Sequence, residues 1–274
     1  MPTPATGDKA AGYVARLSSL LLSTAQLLGS PSAPQAGDAA RKLRRQASIL
    51  IALGAVVIVV LMFGLDAREI ALMPPRGAAG LWPVRVLTDF GKPAFVLSSI
   101  AALLMVVTLV APIARGGLRS RLLHLAAELQ YLLLAVVVPN AAGEFIKWIV
   151  GRGRPFVGGH ANAFYFSHFA GTEAYASFPS AHAITSAALA FAVSALWPRL
   201  RIPMIVYALL IVASRLVLLA HHPSDVVAGA LFGIIGAMAV RYWFAARRLG
   251  FAIGHDGAIL PSRGPVSEPQ RGCP

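Results

Sequence analysis

The chain has 274 residues, of which 57% are hydrophobic and only 13% charged, with a formal net charge of +13. That apolar excess excludes a soluble globular protein, because several uncharged runs reach the roughly 20 residues a helix needs to cross a bilayer. The positive charge does not mark a nucleic-acid binder: the basic residues sit at the ends of apolar runs, not in a stripe on one face. The only cysteine, Cys273, provides neither a disulfide framework nor a cysteine metal site. The expected fold class is an all-α polytopic membrane protein with six transmembrane helices in a bundle.

Residues 1–46 read as a cytoplasmic tail, rich in Pro, Gly and Ser at both ends, with one helical patch inside. Tyr13, Leu17, Leu20, Leu21, Leu27 and Leu28 fall on one side of that patch, and Arg16, Ser19, Ser23 and Gln26 on the other. This pattern predicts an amphipathic helix lying on the membrane surface. A cleaved signal peptide is the rival reading. Cleavage near Ser30 would leave Arg41, Lys42, Arg44 and Arg45 outside, against the positive-inside rule.

Six spans follow, at Ala47–Leu65, Ala94–Ala114, Leu122–Val150, Ala181–Trp197, Pro203–Ala220 and Val226–Phe244, within a domain over 47–248. Pro139 predicts a kink in the third. Residues 249–274 read as a disordered cytoplasmic tail. Orientation comes from the connections. Arg41–Arg45, then Arg115, Arg119 and Arg121, then Arg199 and Arg201, then Arg241, Arg247 and Arg248 all fall on one side if the spans alternate. The connection 66–93 offsets its cations with Asp66, Glu69 and Asp89. Both termini are therefore expected in the cytoplasm of a plasma (inner) membrane protein.

Alternation has a second consequence. The third span ends at Lys147, Arg152, Arg154 and Pro155; the fourth begins at Pro179, Ser180 and His182. The fifth ends at Arg215 and His221, and the sixth begins near Asp225. All four ends lie on the outward face. An arginine within a lipid-spanning helix costs about 2.5–3.5 kcal/mol on insertion scales, so Arg215 is a functional candidate by default. Lys147, Arg154 and Arg215 form a cationic pocket suited to phosphate, with no surplus of neighbouring carboxylates. Ser180 and the backbone N–H of Ala181 are further donors. A histidine nucleophile oriented by Asp225, with His182 as general acid and then base, would complete a phosphoryl-transfer site. His221 and His222 both lie within reach of Asp225, and spacing alone does not choose between them. A metal held by His182, His221 and Asp225 is disfavoured by the three neighbouring cations and the absence of a second carboxylate to bridge Mg²⁺.

Lys147-x6-Arg154-Pro155, Pro179-Ser180-Ala181-His182 and Ser214-Arg215-x5-His221-x3-Asp225 resemble the three signatures of the type 2 phosphatidic acid phosphatase and haloperoxidase family. The resemblance covers 147–225, and the six-span layout is similar to the family's membrane branch. It implies an integral-membrane, metal-independent lipid phosphate phosphatase that uses no cofactor. His221 would be the nucleophile forming a phosphohistidine, Asp225 its orienter and His182 the acid. Lys147, Arg154, Ser180 and Arg215 would bind phosphate. Two departures stand out. Ala181 replaces the usual glycine of the second signature, which matters if that position needs positive φ. His222 stands where an aromatic is common, and reads as packing at the mouth of the site.

Substrates of this class are undecaprenyl diphosphate, phosphatidylglycerol phosphate or phosphatidic acid; the 1- or 4′-phosphate of lipid A is the alternative. An anion or lipid transporter is the reading of another class, but repeated halves with matched broken helices are not visible. The expected partners are the lipid phosphate and membrane lipids, with no nucleic acid and no metal. The aromatic segment 156–178 reads either as a lid or as an interfacial belt. Glu144 is expected to pair with Lys147, and His124 with Glu128, each one helical turn apart.

Overall fold

The computed structural model describes residues 25–159 and 161–262. Among these residues eight α-helices form: α1 Ala36–Gly64, α2 Asp66–Leu72, α3 Trp82–Asp89, α4 Pro93–Val110, α5 Gly116–Val150, α6 Ala181–Leu196, α7 Arg201–Val217 and α8 Pro223–Ala246. Proline opens α3, α4 and α8, where the missing N–H costs no intrahelical bond. Five stretches are long and apolar enough to cross a membrane: Ala36–Gly64, Ala79–Val110, Gly116–Val150, Pro198–Val217 and Pro223–Ala246. The sixth apolar helix, α6, has 16 residues, or about 24 Å at 1.5 Å per residue. The protein is an all-α polytopic membrane protein.

The short α6 is the centre of the bundle. Its sequence is mostly small residues, and nine of its positions, among them Ala183, Thr185, Ala188 and Ala192, are buried. Small residues let helix backbones approach closely where there is no hydrophobic drive to hold them together. The approach is closest against α8. A Cβ on Gly229 would lie 2.5 Å from the Ser180 carbonyl oxygen, and one on Gly233 would lie 2.4 Å from that of Ile184. On the other side of the bundle α1 presents exposed Val56, Val60 and Phe63 to the lipid.

Two details differ from the sequence reading. Helix α1 begins at Ala36 and not near 47, so Arg41, Lys42, Arg44 and Arg45 lie on its first turns; lysine, arginine, alanine and leucine are all good helix formers, and the helix projects past its apolar part. As expected of the third span, helix α5 runs through Pro139, whose ring packs where Gly236 of α8 leaves room. Beyond α8 the described residues, up to 262, are ordered where the sequence predicts the start of a disordered tail. Phe251–Ile253 and Ile259–Pro261 pair as an antiparallel hairpin in the register Ala252↔Leu260. Two features explain it: an Asp256-Gly257 turn with Gly257 at φ 73°, and Phe251 buried edge-on against Tyr131 at 4.8 Å. Residues before α1 dock at the same end, with the N–H groups of Ser32 and Ala33 donating to Ala246 O at 2.8 and 3.0 Å. The surface helix expected over residues 13–28 lies largely outside the described residues.

The α6–α8 contact generates a stability prediction. Gly229→Ala drives a methyl into backbone, an overpacking that costs on the order of 1–3 kcal/mol, whereas a Cβ at Gly37 meets nothing within 4 Å. Thermal unfolding in detergent is expected to show a clear drop for Gly229→Ala and none for Gly37→Ala. Equal melting temperatures would mean that α6 and α8 do not depend on this close approach.

Candidate active site

Four helix ends meet at one end of the bundle: the C-termini of α5 and α7 and the N-termini of α6 and α8. Lys147 sits on the last turn of α5, and Gly151 ends that helix with φ 55°. A side chain there is impossible, because its Cβ would fall 1.9 Å from the Ser167 carbonyl oxygen. The loop that follows is tied down by backbone hydrogen bonds. Gly153 N donates to Tyr165 O at 2.8 Å, Arg154 N to Ala174 O at 2.9 Å, and Ser177 N to Arg152 O at 3.0 Å. Its aromatics reach outward to other elements: Phe164 meets Phe63 of α1 at 5.1 Å, and Phe156 lies under Arg76 at 3.7 Å. His168 donates from Nδ1 to Ile149 O at 3.1 Å.

His221 lies in the short link between α7 and α8, and its side chain is almost fully buried. Its Nδ1 is 2.8 Å from the Ser177 carbonyl oxygen. A carbonyl only accepts, so Nδ1 carries the proton and the lone pair is left on Nε2. Burial, then the charges of Arg215 and Arg154, holds this imidazole well below the usual histidine range, so it is neutral at physiological pH. The expected direct orientation by Asp225 is not formed: its nearest oxygen is 3.9 Å from Nδ1. Asp225 instead takes the Ser177 hydroxyl at 2.5 Å and the His222 N–H at 2.9 Å on Oδ2. A helix-start carboxylate turns toward such N–H groups, and Ser177 stands between it and the imidazole. Ser177 therefore links Asp225 to His221, its hydroxyl on the carboxylate and its carbonyl on the imidazole.

His222 is also placed differently from the expectation of a packing residue at the mouth. It is the fully buried N-cap of α8, next to Asp225, Arg152 and Asp66. Pro223 holds the backbone of His222 extended, at φ −76° and ψ 157°, which separates its ring from that of His221. Ala181 opens α6 without positive φ, so the methyl group in place of glycine is compatible with an ordinary helix start.

The cations gather as the alternation of spans implies. Arg215, Arg154, Lys147 and Lys92 all act electrostatically on His182. Arg215 donates to Thr88 Oγ1 at 2.9 Å, which ties α7 to α3. The site is less poor in carboxylates than expected. Lys147 pairs with Glu144, and Arg154 pairs with Glu173 at 3.1 Å. Arg154 Nε, Arg215 Nε and Ser180 Oγ are buried and have no hydrogen-bond partner. Buried polar groups are normally paired, so donors of this kind around two histidines fit a tetrahedral oxyanion. Among the described residues no group of three His, Cys, Asp or Glu stands close enough to hold a metal ion.

Beneath the histidines lies a network that carries no signature in the sequence. Arg152 is 1% exposed and bridges Asp225 Oδ1 at 2.7 Å and Asp66 Oδ2 at 2.8 Å. Asp66, at the start of α2, also accepts from the Ser224 N–H at 3.0 Å and from the Ser224 hydroxyl. Glu69, one turn further on, is 3% exposed, and neither carboxyl oxygen has a partner. The sequence counted Asp66 and Glu69 only as charges balancing the first outward connection. An acidic pair just past the first span, on the face that holds the other site residues, was the signal available.

A helical membrane bundle that sets a neutral histidine among buried oxyanion donors has the makings of a membrane phosphatase. Residues 128–249 match the family model described as the PAP2 superfamily. The chain is 31% identical over 222 residues to a protein named lipid A 1-phosphatase from Rhizobium johnstonii, covering 81% of this chain and 89% of the relative. A lipid A 1-phosphatase from Rhizobium etli is also 31% identical, over 81% of this chain and 94% of its own length. The chain belongs to the PAP2 superfamily and is a lipid phosphatase. No solved structure matches it.

Two predictions follow from the charges. Burial, then the charges of Asp66 and Asp225, pushes the Glu69 carboxyl up to about 8 from 4.5. The folded protein keeps a proton that the unfolded chain releases, so this group's contribution is full below pH 4.5 and is lost as pH rises to about 8. Glu69→Gln removes that slope. Its melting temperature is expected to gain on the parent steadily between pH 5 and pH 8.5, and a constant difference would mean that Glu69 is ionised throughout. Glu173 is 92% exposed, so its pair with Arg154 is worth only about 0–1 kcal/mol. Glu173→Gln is therefore expected to tighten inhibition by inorganic phosphate by roughly two- to fivefold. Weaker inhibition would mean that Glu173 positions Arg154 instead of competing with the anion.

Proposed function

We propose that this phosphatase removes the 1-phosphate of lipid A through a phosphohistidine on His221. The observation that carries the chemistry is the tautomer: the Ser177 carbonyl holds the Nδ1 proton at 2.8 Å and leaves Nε2 as the nucleophile. What supports the substrate is the likeness to two proteins named lipid A 1-phosphatase, over 89% and 94% of their lengths.

In the first step the Nε2 lone pair of His221 attacks phosphorus, and the bond from phosphorus to the sugar oxygen breaks. His182, which becomes an imidazolium once the substrate phosphate offsets the cations around it, gives its proton to that leaving oxygen. In the second step His182 takes a proton from water, the water oxygen attacks phosphorus, the P–N bond breaks and inorganic phosphate leaves. Lys147, Arg154, Arg215, the Ser180 hydroxyl and the Ala181 N–H receive the charge on the equatorial oxygens. Phosphorylation leaves the His221 ring cationic while Nδ1–H still donates to Ser177 O, so that hydrogen bond strengthens as the intermediate forms. No step needs a metal. The site faces outward from the inner membrane, and both chain ends lie in the cytoplasm, in keeping with the basic connections at the opposite end of the bundle.

Purified protein is expected to release phosphate from lipid A in EDTA and to be blocked by vanadate, which adopts the five-coordinate geometry of the transition state. His221→Ala is expected to abolish turnover and the acid-labile phosphoenzyme. Undecaprenyl diphosphate, phosphatidylglycerol phosphate and phosphatidic acid belong in the same assay. Faster turnover of any of these would displace lipid A as substrate, and activity lost to EDTA and restored by a divalent metal would overturn the mechanism.

A further inference from the structure

The catalytic histidine is held from further away than the three signatures reach. Starting at His221, Nδ1 donates to Ser177 O at 2.8 Å, and the Ser177 hydroxyl donates to Asp225 Oδ2 at 2.5 Å. Asp225 Oδ1 accepts from Arg152 Nη1 at 2.7 Å, and Arg152 Nη2 donates to Asp66 Oδ2 at 2.8 Å. Cross-ties brace this chain. Arg152 O accepts from Ser177 N at 3.0 Å, Asp225 O accepts from Ser180 N at 3.1 Å, and Ala163 O takes Arg152 Nε and Nη2 at 3.1 and 2.9 Å. Ser224 donates to Asp66 and accepts from Arg152 Nη1 at 2.6 Å. Asp66, Ser177, Ser224 and Asp225 are fully buried.

We propose that Asp66 and Arg152 are positioning residues for the phosphoryl transfer, acting on His221 through Asp225 and Ser177. Asp66 belongs to the connection after the first span, outside the residues 128–249 that match the family model, so a separate part of the chain completes the site. Two physical effects follow from the geometry. Arg152 uses its two terminal nitrogens on two different carboxylates, so Asp66 fixes the direction of the fork that holds Asp225. Two carboxylates against one guanidinium also leave one negative charge below His221, which favours the cationic phosphorylated ring over the neutral one.

The proposal rests on His221 as nucleophile. Its test is Asp66→Asn, which keeps shape and an acceptor oxygen but removes the charge. With lipid A as substrate, kcat is expected to fall at least tenfold while KM stays within twofold. Arg152→Lys is expected to lose as much, since one ammonium cannot serve both carboxylates. Ser177→Ala breaks the same chain closer to His221 and leaves the carbonyl in place. If the residues act as one unit, Asp66→Asn with Ser177→Ala is no slower than the slower single variant. Should Asp66→Asn not fold, Ser224→Ala removes one tie to Asp66 and is expected to lower kcat severalfold at unchanged KM. A folded Asp66→Asn enzyme with kcat within twofold of the parent overturns the proposal. So do losses that multiply in the double variant, and so does an unchanged kcat in Ser224→Ala. A parent enzyme that turns over without an acid-labile phosphoenzyme overturns the assignment of His221, and the proposal with it.

Discussion

The structure depends on one guanidinium. Arg152 is 1% exposed and stands between two fully buried carboxylates, Asp66 and Asp225. Either carboxylate alone in that interior would be an uncompensated buried charge, a situation that costs about 3–5 kcal/mol when one partner of such a pair is removed. The guanidinium fork meets both at hydrogen-bond distance, and the remaining lone pairs are taken by Ser177, Ser224 and backbone N–H groups. The same contacts join α2, the 151–180 loop and the start of α8. The charge network is thus also the joint between parts of the chain that share no regular packing.

Glu69 marks the limit of that compensation. One guanidinium balances one carboxylate and a second is held by hydrogen bonds, but a third would have neither. Its carboxyl oxygens have no partner, and burial beside Asp66 and Asp225 keeps the proton on up to about pH 8. The charges above the network are arranged by the opposite rule. Lys147 and Arg154 carry carboxylates that are largely exposed, 61% for Glu144 and 92% for Glu173. Solvent screens those pairs, so an arriving dianion competes with them at small cost.

Packing sets the scale on which this chemistry is held. The site sits where α6 and α8 touch through Gly229 and Gly233, and the Ser180 carbonyl oxygen lies at that contact. The opposite end of the bundle is built differently. There the segment before α1 and the hairpin after α8 fold back over Tyr131, Phe244 and Ala246. The outer faces of α1 and α4 stay apolar and exposed, as lipid contact requires. The lipid phosphatase is therefore a closely packed central pair of helices with the buried charge network at one end and the hairpin at the other.

Hydropathy, charge asymmetry and the alternation of spans determined much of this from the sequence alone. Apolar length determines a span because lipid offers no other hydrogen-bond partner to the backbone. Alternation brings Lys147, Arg154, His182, Arg215 and His221 to one end of the bundle without reference to tertiary contacts. The D-G turn and apolar flanks of 251–261 are readable too, although the position after the last span predicts a tail there. The rest was decided only in three dimensions. Asp66 and Arg152 are 86 positions apart in the chain, and no periodicity links them. Spacing allowed Asp225 to reach either histidine, yet its carboxylate turned to the Ser177 hydroxyl and the His222 N–H. A buried acceptor goes to the nearest donors the fold supplies, and those donors come from a loop whose path one-dimensional pattern does not specify. The identity of the carbonyl that orients His221 therefore belongs to the tertiary structure alone.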